Sequence, residues 1–497
     1  MSHASLHRRT YGQYFTPAAV VRCCYDLLAG VLPARPQIAD PACGDGAFLL
    51  GAQACGLATP AQLSGCELDP ALVALLHTRG LAGVRLADGL DPAALPAAAF
   101  DLVAGNPPFG VATSGRGRAE LASEVRFLLR ALELARPGGL VALVLPNGVL
   151  ANERLHALRA DLLVRCTLLA AIALPRQAFR HAGTSAQCSL LVLRNAAAPA
   201  GHQAFFALPE QIDALPATAA AYHAGPPAGP ACTIASLQPG APEHYWLPQS
   251  IGLARRMDAQ FWRPEQRALI ERMAARWPLR RLAELVEGRR GLIAGDHVRP
   301  SRGEARGPGL PYEYYQTREF LAAGYNYAQI EHCDARAYAR LRHTAVQRHD
   351  ILVSCAGVGG AGRGRVCLVT HTPGQSCTGD VLIVRARQID PVVLFLLLST
   401  QAGRMQLLRL QNGVGTVNLS VNELSQVVLP LLPPAIQRDL AQRYVPVAAA
   451  HAAAMAALQR GDQPQFERVR AECAGLLAAL VREAELLVLG PNPSEAS

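Results

Sequence analysis

The stretch Ile38-Ala39-Asp40-Pro41-Ala42-Cys43-Gly44-Asp45-Gly46-Ala47-Phe48-Leu49 reads as a short apolar strand, a glycine turn and the start of a helix. Gly44 and Gly46 let the backbone pass close to a ligand at the carboxyl end of the strand. The spacing is not G-x-G-x-x-G, because position 49 is Leu, so a dinucleotide pyrophosphate is not the natural guest. Outward from this turn the same pattern repeats. Apolar runs at 37–40, 63–67, 100–106 and 139–146 end in a turn-forming or acidic residue. Segments with helical spacing, 18–32, 70–79 and 119–136, lie between them. This alternation predicts an α/β fold of the Rossmann-like kind, a mostly parallel sheet with helices on both faces. A further strand at 187–193 is expected to close the sheet as an edge.

Two acids extend the glycine turn into a binding constellation. Glu67 ends the second strand in Gly65-Cys66-Glu67-Leu68-Asp69-Pro70, where a carboxylate accepts hydrogen bonds from ribose hydroxyls. Asp88, in Leu86-Ala87-Asp88-Gly89-Leu90, ends the third and is placed to accept from an adenine amino group. With Asp40, Ala42, Cys43, Gly44 and Gly46 they suit a nucleoside carrying an amino-acid tail, S-adenosylmethionine.

Asn106-Pro107-Pro108-Phe109 directly follows the strand Phe100-Asp101-Leu102-Val103-Ala104-Gly105 and so opens at the same sheet edge. An exocyclic amine of a nucleobase is a poor nucleophile because its lone pair is delocalised into the ring. The Asn106 side-chain oxygen and the Pro107 carbonyl can both accept from that amine and localise the lone pair on nitrogen. Pro107 and Pro108 fix the backbone that presents the carbonyl. The sulfonium is already a strong electrophile, so alignment and hydrogen bonding suffice without a charged base. Phe109 can stack on the planar base.

These motifs resemble those of the N6-adenine DNA methyltransferases of the gamma arrangement, over residues 1–195. The family's Asn-Pro-Pro-aromatic motif stands here as Asn106 to Phe109, and its cofactor loop as Asp40 to Leu49. Tyr11-Gly12-Gln13-Tyr14-Phe15-Thr16-Pro17 is similar to its N-terminal motif, which implies a role for Thr16 at the methionine end of the cofactor. Pro137 to Pro146 is similar to its later strand. Ala178-Phe179-Arg180-His181-Ala182-Gly183-Thr184-Ser185 resembles the element that closes over the flipped base, which implies Phe179 as a second stacking ring. Asp45 and Phe109 depart from the family's commoner small residue and Tyr, without threat to the chemistry.

The second half has a different character. Residues 1–250 hold 17 Arg and 16 acids; residues 251–497 hold 30 Arg and 22 acids. Nearly all of the net charge of +9 therefore lies in the second half, which suggests a separate module for a polyanion. Residues 277–437 resemble a target-recognition domain of type I restriction specificity subunits. The resemblance is carried by Trp277-Pro278-Leu279-Arg280-Arg281-Leu282, by Asp350-Ile351-Leu352-Val353-Ser354 with the glycines at 357–364, by Asn418-Leu419-Ser420, and by Leu429 to Pro434 with Gln437. It implies phosphate contacts that position a duplex and side chains that read base edges. Arg289, Arg290, Arg363 and Arg365 are candidates beside glycines, and Arg116 and Arg118 sit in a loop next to the catalytic tetrad. Three parts follow: a catalytic domain at 1–250 with a core at 1–195 and a linker-like Ala/Pro/Gly-rich stretch at 196–250, in which a strand is expected at 203–208; a mixed α+β recognition domain at 251–433; and a helical segment at 434–497 turning near Gly461. In that segment Phe466, Val469, Cys473, Leu476, Leu477, Leu480, Ala484 and Leu487 form an apolar stripe.

Composition removes several classes. All 47 residues of the Lys+Arg total are Arg. Without Lys there is no P-loop of the G-x-x-x-x-G-K type and no Schiff-base lysine. The 13 Cys are scattered, with no C-x-x-C and no His at zinc spacing, so neither a disulfide framework nor a metal site is expected. No signal core or membrane span is expected, which points to the cytoplasm. The reading is a site-specific adenine methyltransferase acting on double-stranded DNA with S-adenosylmethionine, related to a restriction-modification system and paired with a separately encoded endonuclease in some such systems. Two competitors stay open. An RNA-base or protein-glutamine methyltransferase shares the Asn-Pro-Pro-aromatic motif, and a DNA-binding specificity module need not be catalytic.

Overall fold

The computed structural model of the chain describes residues 16–109, 121–175, 177–179, 187–226, 244–288, 291–357, 364–410 and 417–491. They fall into two compact units that part between Pro264 and Glu265.

The first unit is built on a nine-stranded sheet in the order β3-β2-β1-β4-β5-β7-β6-β8-β9. Its strands are β1 Ile38–Asp40, β2 Leu63–Glu67, β3 Val84–Leu86, β4 Phe100–Gly105, β5 Ala135–Pro146, β6 Thr167–Ala173, β7 Cys188–Arg194, β8 Gln203–Ala207 and β9 His244–Pro248. β3, β2, β1, β4 and β5 are parallel to their neighbours in that run. β1 and β4 are buried along their whole length, as central parallel strands covered on both faces must be. Helices α1 Ala18–Leu27, α2 Ala47–Ala54 and α3 Pro70–Thr78 connect or precede these strands, and α4 Ser123–Leu134 leads into β5. The start of α3 is written locally: the Asp69 carboxylate accepts from the Ala71 N–H at 2.8 Å, and Pro70 occupies the first turn. One apolar core lies on each face of the sheet. Val20, Cys24, Phe48 and Leu76 belong to one, and Leu128, Leu132, Leu150 and Phe206 to the other.

Two expectations give way to the observed topology. The strand expected to close the sheet, β7, is interior: it pairs antiparallel with β5 on one side and β6 on the other. Both of its faces are buried: Leu190, Leu191, Val192 and Leu193 lie in the two cores, and the buried Ser189 hydroxyl donates to the Asn147 side-chain oxygen at 2.7 Å. Within the stretch at 196–250 expected to be linker-like, β8 and β9 pair with each other and extend the sheet. β8 falls within the strand expected at 203–208. Residues 251–264 also belong to this unit. The buried Arg159 donates to the carbonyls of Ala254 and Arg255, each at 2.8 Å, and Arg256 pairs with Asp258 at 2.6 Å.

The second unit contains smaller sheets. Four antiparallel strands lie in the order β11-β18-β14-β16, namely β11 Leu292–Ala294, β18 Val381–Val384, β14 Ile351–Ser354 and β16 Val366–Leu368. Three more, β13 Glu331–Cys333, β12 Tyr312–Tyr315 and β17 Ser376–Thr378, form a mixed sheet. β10 Leu279–Arg281 pairs with β20 Val428–Pro430, so the entry and exit segments of the expected recognition domain lie side by side. β15 Ala356–Gly357 pairs with β19 Val417–Asn418. The C-terminal part is helical, over Pro434–Arg443, Val445–Gln459 and Gln463–Leu489, with the turn at Gly461 in the left-handed region. In the last helix Phe466, Val469, Cys473, Leu477, Leu480, Ala484 and Val488 are buried, in steps of three and four. Leu476 stays exposed and Leu487 half-buried, because that stepping carries the stripe past both.

Candidate functional site

The strand order reverses between β1 and β4, and a parallel sheet opens a crevice at the carboxyl ends of its strands where that happens. A solvent-open cleft lies there, at the place where small-molecule sites of such sheets form. Thr16, Asp40, Ala42, Cys43, Gly44, Glu67, Asp88, Asn106 and Pro108 all line it. Nearly every cofactor and catalytic residue expected from the sequence thus meets in one place, although they span ninety positions of the chain.

The turn after β1 is shaped by glycines and held by carboxylates. Gly44 has φ +54° and Gly46 φ +80°, a region in which a side chain is strained. A Cβ on Gly46 would also press to 2.5 Å from Leu76, whereas one on Gly44 would meet nothing within 4 Å. Gly46 is thus fixed by both packing and backbone conformation, and Gly44 by its backbone conformation alone. Glu67 is 7% exposed and accepts three backbone N–H groups: from Gly44 at 2.8 Å, Leu68 at 2.8 Å and Asp69 at 2.9 Å. Its carboxylate therefore ties the turn after β1 to the turn after β2 as well as facing the cleft. Asp40 is 2% exposed and accepts from the Ala42 N–H at 3.0 Å. Burial pushes its carboxyl up to about 7, with the nearby Glu67 and Asp45 carboxylates adding to the rise. Burial likewise pushes up the Cys43 thiol and the Asp45 carboxyl. Asp88 is exposed at the rim, and one of its oxygens accepts from the Leu90 N–H at 2.9 Å.

At the end of β4 the Asn106 amide nitrogen donates to the Thr16 hydroxyl at 3.0 Å. Through that contact Thr16 sets the rotation of the amide and so where the acceptor oxygen lies. Pro107 is buried, and Phe109 is half-buried against the core beside α1 and α2. Phe179 is corrected from its expected role. It is 2% exposed, inside the apolar core on the same face, and a ring packed there offers no face to a base. Arg365 is also engaged: it donates to the Phe320 carbonyl and lies 5.9 Å from the centre of that ring. Arg116, Arg118, Arg289, Arg290 and Arg363 lie outside the described residues, as do residues 11–15 and 180–185 of the two flanking motifs.

The cleft also holds residues that sequence reasoning passed over. Leu68, 53% exposed, follows Glu67 at the rim, and Phe127 of α4 lines the wall. A Cβ on Gly89 would sit 1.8 Å from the Pro41 carbonyl oxygen, and one on Gly105 would sit 2.5 Å from an Asp40 carboxylate oxygen. These two glycines let the turn after β3 and the end of β4 close on the turn after β1. The Gly89 signal was present, as a glycine directly after a candidate acid. Phe127 carried none, since a helical aromatic reads as core. The donor set suits the cofactor expected from the sequence: buried acceptors for hydroxyls and an ammonium, a side-chain-free approach at Gly44 and an apolar wall for a base. Among the described residues, no cluster of His, Cys, Asp or Glu could hold a metal, and no single helix is long and apolar enough to cross a membrane.

Residues 1–214 match the family described as N-6 DNA Methylase, and the matched span contains the whole cleft. The defence-against-restriction protein B of Escherichia phage P1 is 24% identical over 187 residues, 37% of this chain. The match spans only 8% of that relative's own length. Among solved structures, the modification protein of the type I restriction enzyme EcoKI is similar at 24% identity with a TM-score of 0.33, over 40% of this chain and 48% of that one. The type IIG restriction endonuclease BpuSI is 13% identical with a TM-score of 0.44, over 97% of this chain and 67% of that one. A type I methyltransferase subunit from Streptococcus thermophilus is 20% identical with a TM-score of 0.35, over 42% of this chain and 52% of that one.

Proposed function

We propose that this chain transfers a methyl group to the N6 nitrogen of adenine in double-stranded DNA, with S-adenosylmethionine as donor. The observation that carries the reading is the opening of Asn106 and Pro108 on the same cleft as Glu67 and Gly44. The donor would be held by Thr16, Asp40, Gly44, Glu67 and Asp88, and supplies a methyl group on a sulfonium. Glu67 and Asp88 accept from its hydroxyl and amino groups. Leu68 and Phe127 cover apolar surface. The Asn106 oxygen and the Pro107 carbonyl accept from the target amine and draw its lone pair out of the ring. Thr16 holds the Asn106 amide in the required rotation. Phe109 supplies a stacking face, and reaching it requires the base to leave the duplex, at a cost of a few kcal/mol.

The match to the N-6 DNA methylase family over residues 1–214 supports this reading, and the similar proteins are named for restriction and its modification or countering. On the same reading the second unit recognises the DNA site, and a separate endonuclease subunit is a natural partner. The test is methyl transfer from labelled donor to duplex DNA, structured RNA and a glutamine-bearing protein, with nucleosides resolved afterwards. N6-methyladenine from duplex DNA is the expected product. N4-methylcytosine, or label in RNA or protein alone, would overturn it.

A further inference from the structure

One end of the four-stranded sheet of the second unit gathers positive charge in excess of its acids. β14 begins there and β18 ends there, since Ile351 pairs with Val384 in antiparallel register. Arg342, His343, Arg348 and His349, on the segment leading into β14, are exposed, and so is Arg387, just after β18. The neighbouring arginines are spent on structure: Arg340 pairs with Glu304 and Asp296, each at 2.7 Å, and Arg385 with the buried Asp350 at 2.8 Å. Among the described residues Arg342, Arg348 and Arg387 have no carboxylate within the 4.0 Å of an ion pair. Exposed acids near this end are Glu287, beside Arg385, and Glu284, which pairs with Arg280 and adjoins Leu285, whose carbonyl accepts from the Arg387 N–H.

The backbone that carries these side chains is pinned from below. The Thr344 hydroxyl accepts from the Thr378 N–H at 2.9 Å, the Val346 N–H donates to the Ser376 hydroxyl at 3.1 Å, and Arg385 donates to the Ala345 carbonyl at 3.2 Å. The Gln347 N–H donates to Asp350 at 2.7 Å. Buried Thr344, Val346 and Asp350 thus alternate with the exposed basic residues. His349 has φ +71°, which is uncommon for any residue with a Cβ, and its N–H donates to the Val369 carbonyl at 2.8 Å. A chain already ordered loses little freedom when an anion arrives, and guanidinium groups take phosphate oxygens in pairs.

We propose that this end of the sheet, through Arg342, Arg348 and Arg387, grips the phosphate backbone of duplex DNA and positions it without reading its sequence. The proposal rests on the DNA-directed function above. Each phosphate neutralised releases counterions, so log K falls with log salt by about 0.9 per contact. In the full-length chain, Arg342→Gln/Arg348→Gln/Arg387→Gln should make that slope shallower by roughly two to three, equally for different duplex sequences. Arg443→Gln/Arg470→Gln, which removes two exposed arginines that have acidic partners in the C-terminal helices, should leave it unchanged. An unchanged slope in the triple variant, or an equal loss in the control, overturns the patch while the wild type still binds and methylates DNA. A wild type that neither binds nor methylates duplex DNA overturns the functional reading, and the patch with it.

Discussion

In the first unit, four turns far apart in the chain, at 40–46, 67–69, 88–89 and 106–109, each follow a strand and meet at one sheet edge. In the second, the residues that carry the likeness to a recognition domain are taken up by the fold itself. Asp350 is buried and holds Arg385 through two contacts, at 2.9 and 2.8 Å. Ser420 caps the helix Val421–Leu424 in a box with Glu423. Gln437 links the Leu432 carbonyl at 2.7 Å to the Asp390 N–H at 2.9 Å. Exposed charge of that unit lies also on residues without a motif, such as Arg342 and Arg348. A parallel sheet turns sequence motifs into a site, because every strand delivers its C-terminal turn to the same edge. Small antiparallel sheets deliver alternate loops to opposite ends, so their motifs record how the domain is held together.

The contrast between the two units is most exposed to refutation at Arg385. Arg385→Ala strands a buried carboxylate, and losing one partner of such a pair costs about 3–5 kcal/mol. Calorimetry should show the second unit melting earlier, with cofactor affinity unchanged. A variant of wild-type stability would mean that Asp350 is not the structural residue described. Next, Asn106→Ala should lower turnover by about 2–4 kcal/mol of transition-state stabilisation, with both substrates still bound and the melting temperature kept. Near-normal single-turnover rates would remove Asn106 from the chemistry. Gly89→Ala forces a Cβ against the Pro41 carbonyl, and overpacking of this kind costs about 1–3 kcal/mol. Titration calorimetry should read that loss as weaker cofactor binding rather than as a change in DNA affinity.

Smaller effects are expected at the base and at the cofactor turn. Stacking contributes ~1–3 kcal/mol per base, so Phe109→Ala should weaken capture of the extruded base while Phe109→Tyr keeps most of the activity. A 2-aminopurine at the target position would report this; an unchanged emission rise in the Ala variant assigns Phe109 to packing alone. The smallest effect is a pH dependence. Burial raises Asp40 to about 7, so it is largely neutral at pH 6 and anionic above 7. The donor carries a net positive charge, which favours the ionised carboxylate. Its affinity should therefore rise from pH 6.0 to 7.5, by up to about tenfold for each unit by which binding lowers that pKa. Asp40→Asn should flatten the rise. An equal slope in both proteins would place the titrating group elsewhere.

Much of the first unit was legible because its signals are local. A strand followed by Gly44 and Gly46, an acid closing each of the next strands and Asn106-Pro107-Pro108-Phe109 need only a few neighbouring residues to be read. Their convergence follows from the alternation of strands and helices. What was not legible depends on partners distant in sequence. The interior place of β7 is decided by pairing with β5 and β6, and a strand apolar on both faces can stand at the edge of a covered sheet or inside it. Phe179 carries a motif-like surrounding, yet its burial is set by the helices and strands that pack over it.

The kind of sheet and the glycine turn after its first strand were thus legible in the order of residues alone, since each is written in spacing and backbone preference. Tertiary structure was needed to show that Glu67 ties two turns together, that Gly89 and Gly105 make room for close approach, and that 251–264 belongs with the first unit. It also decided which arginines of the second unit are committed to carboxylates and which stay exposed. A glycine turn or a proline pair acts through its own dihedral angles, whereas burial and ion pairing depend on what the rest of the chain brings within a few ångströms.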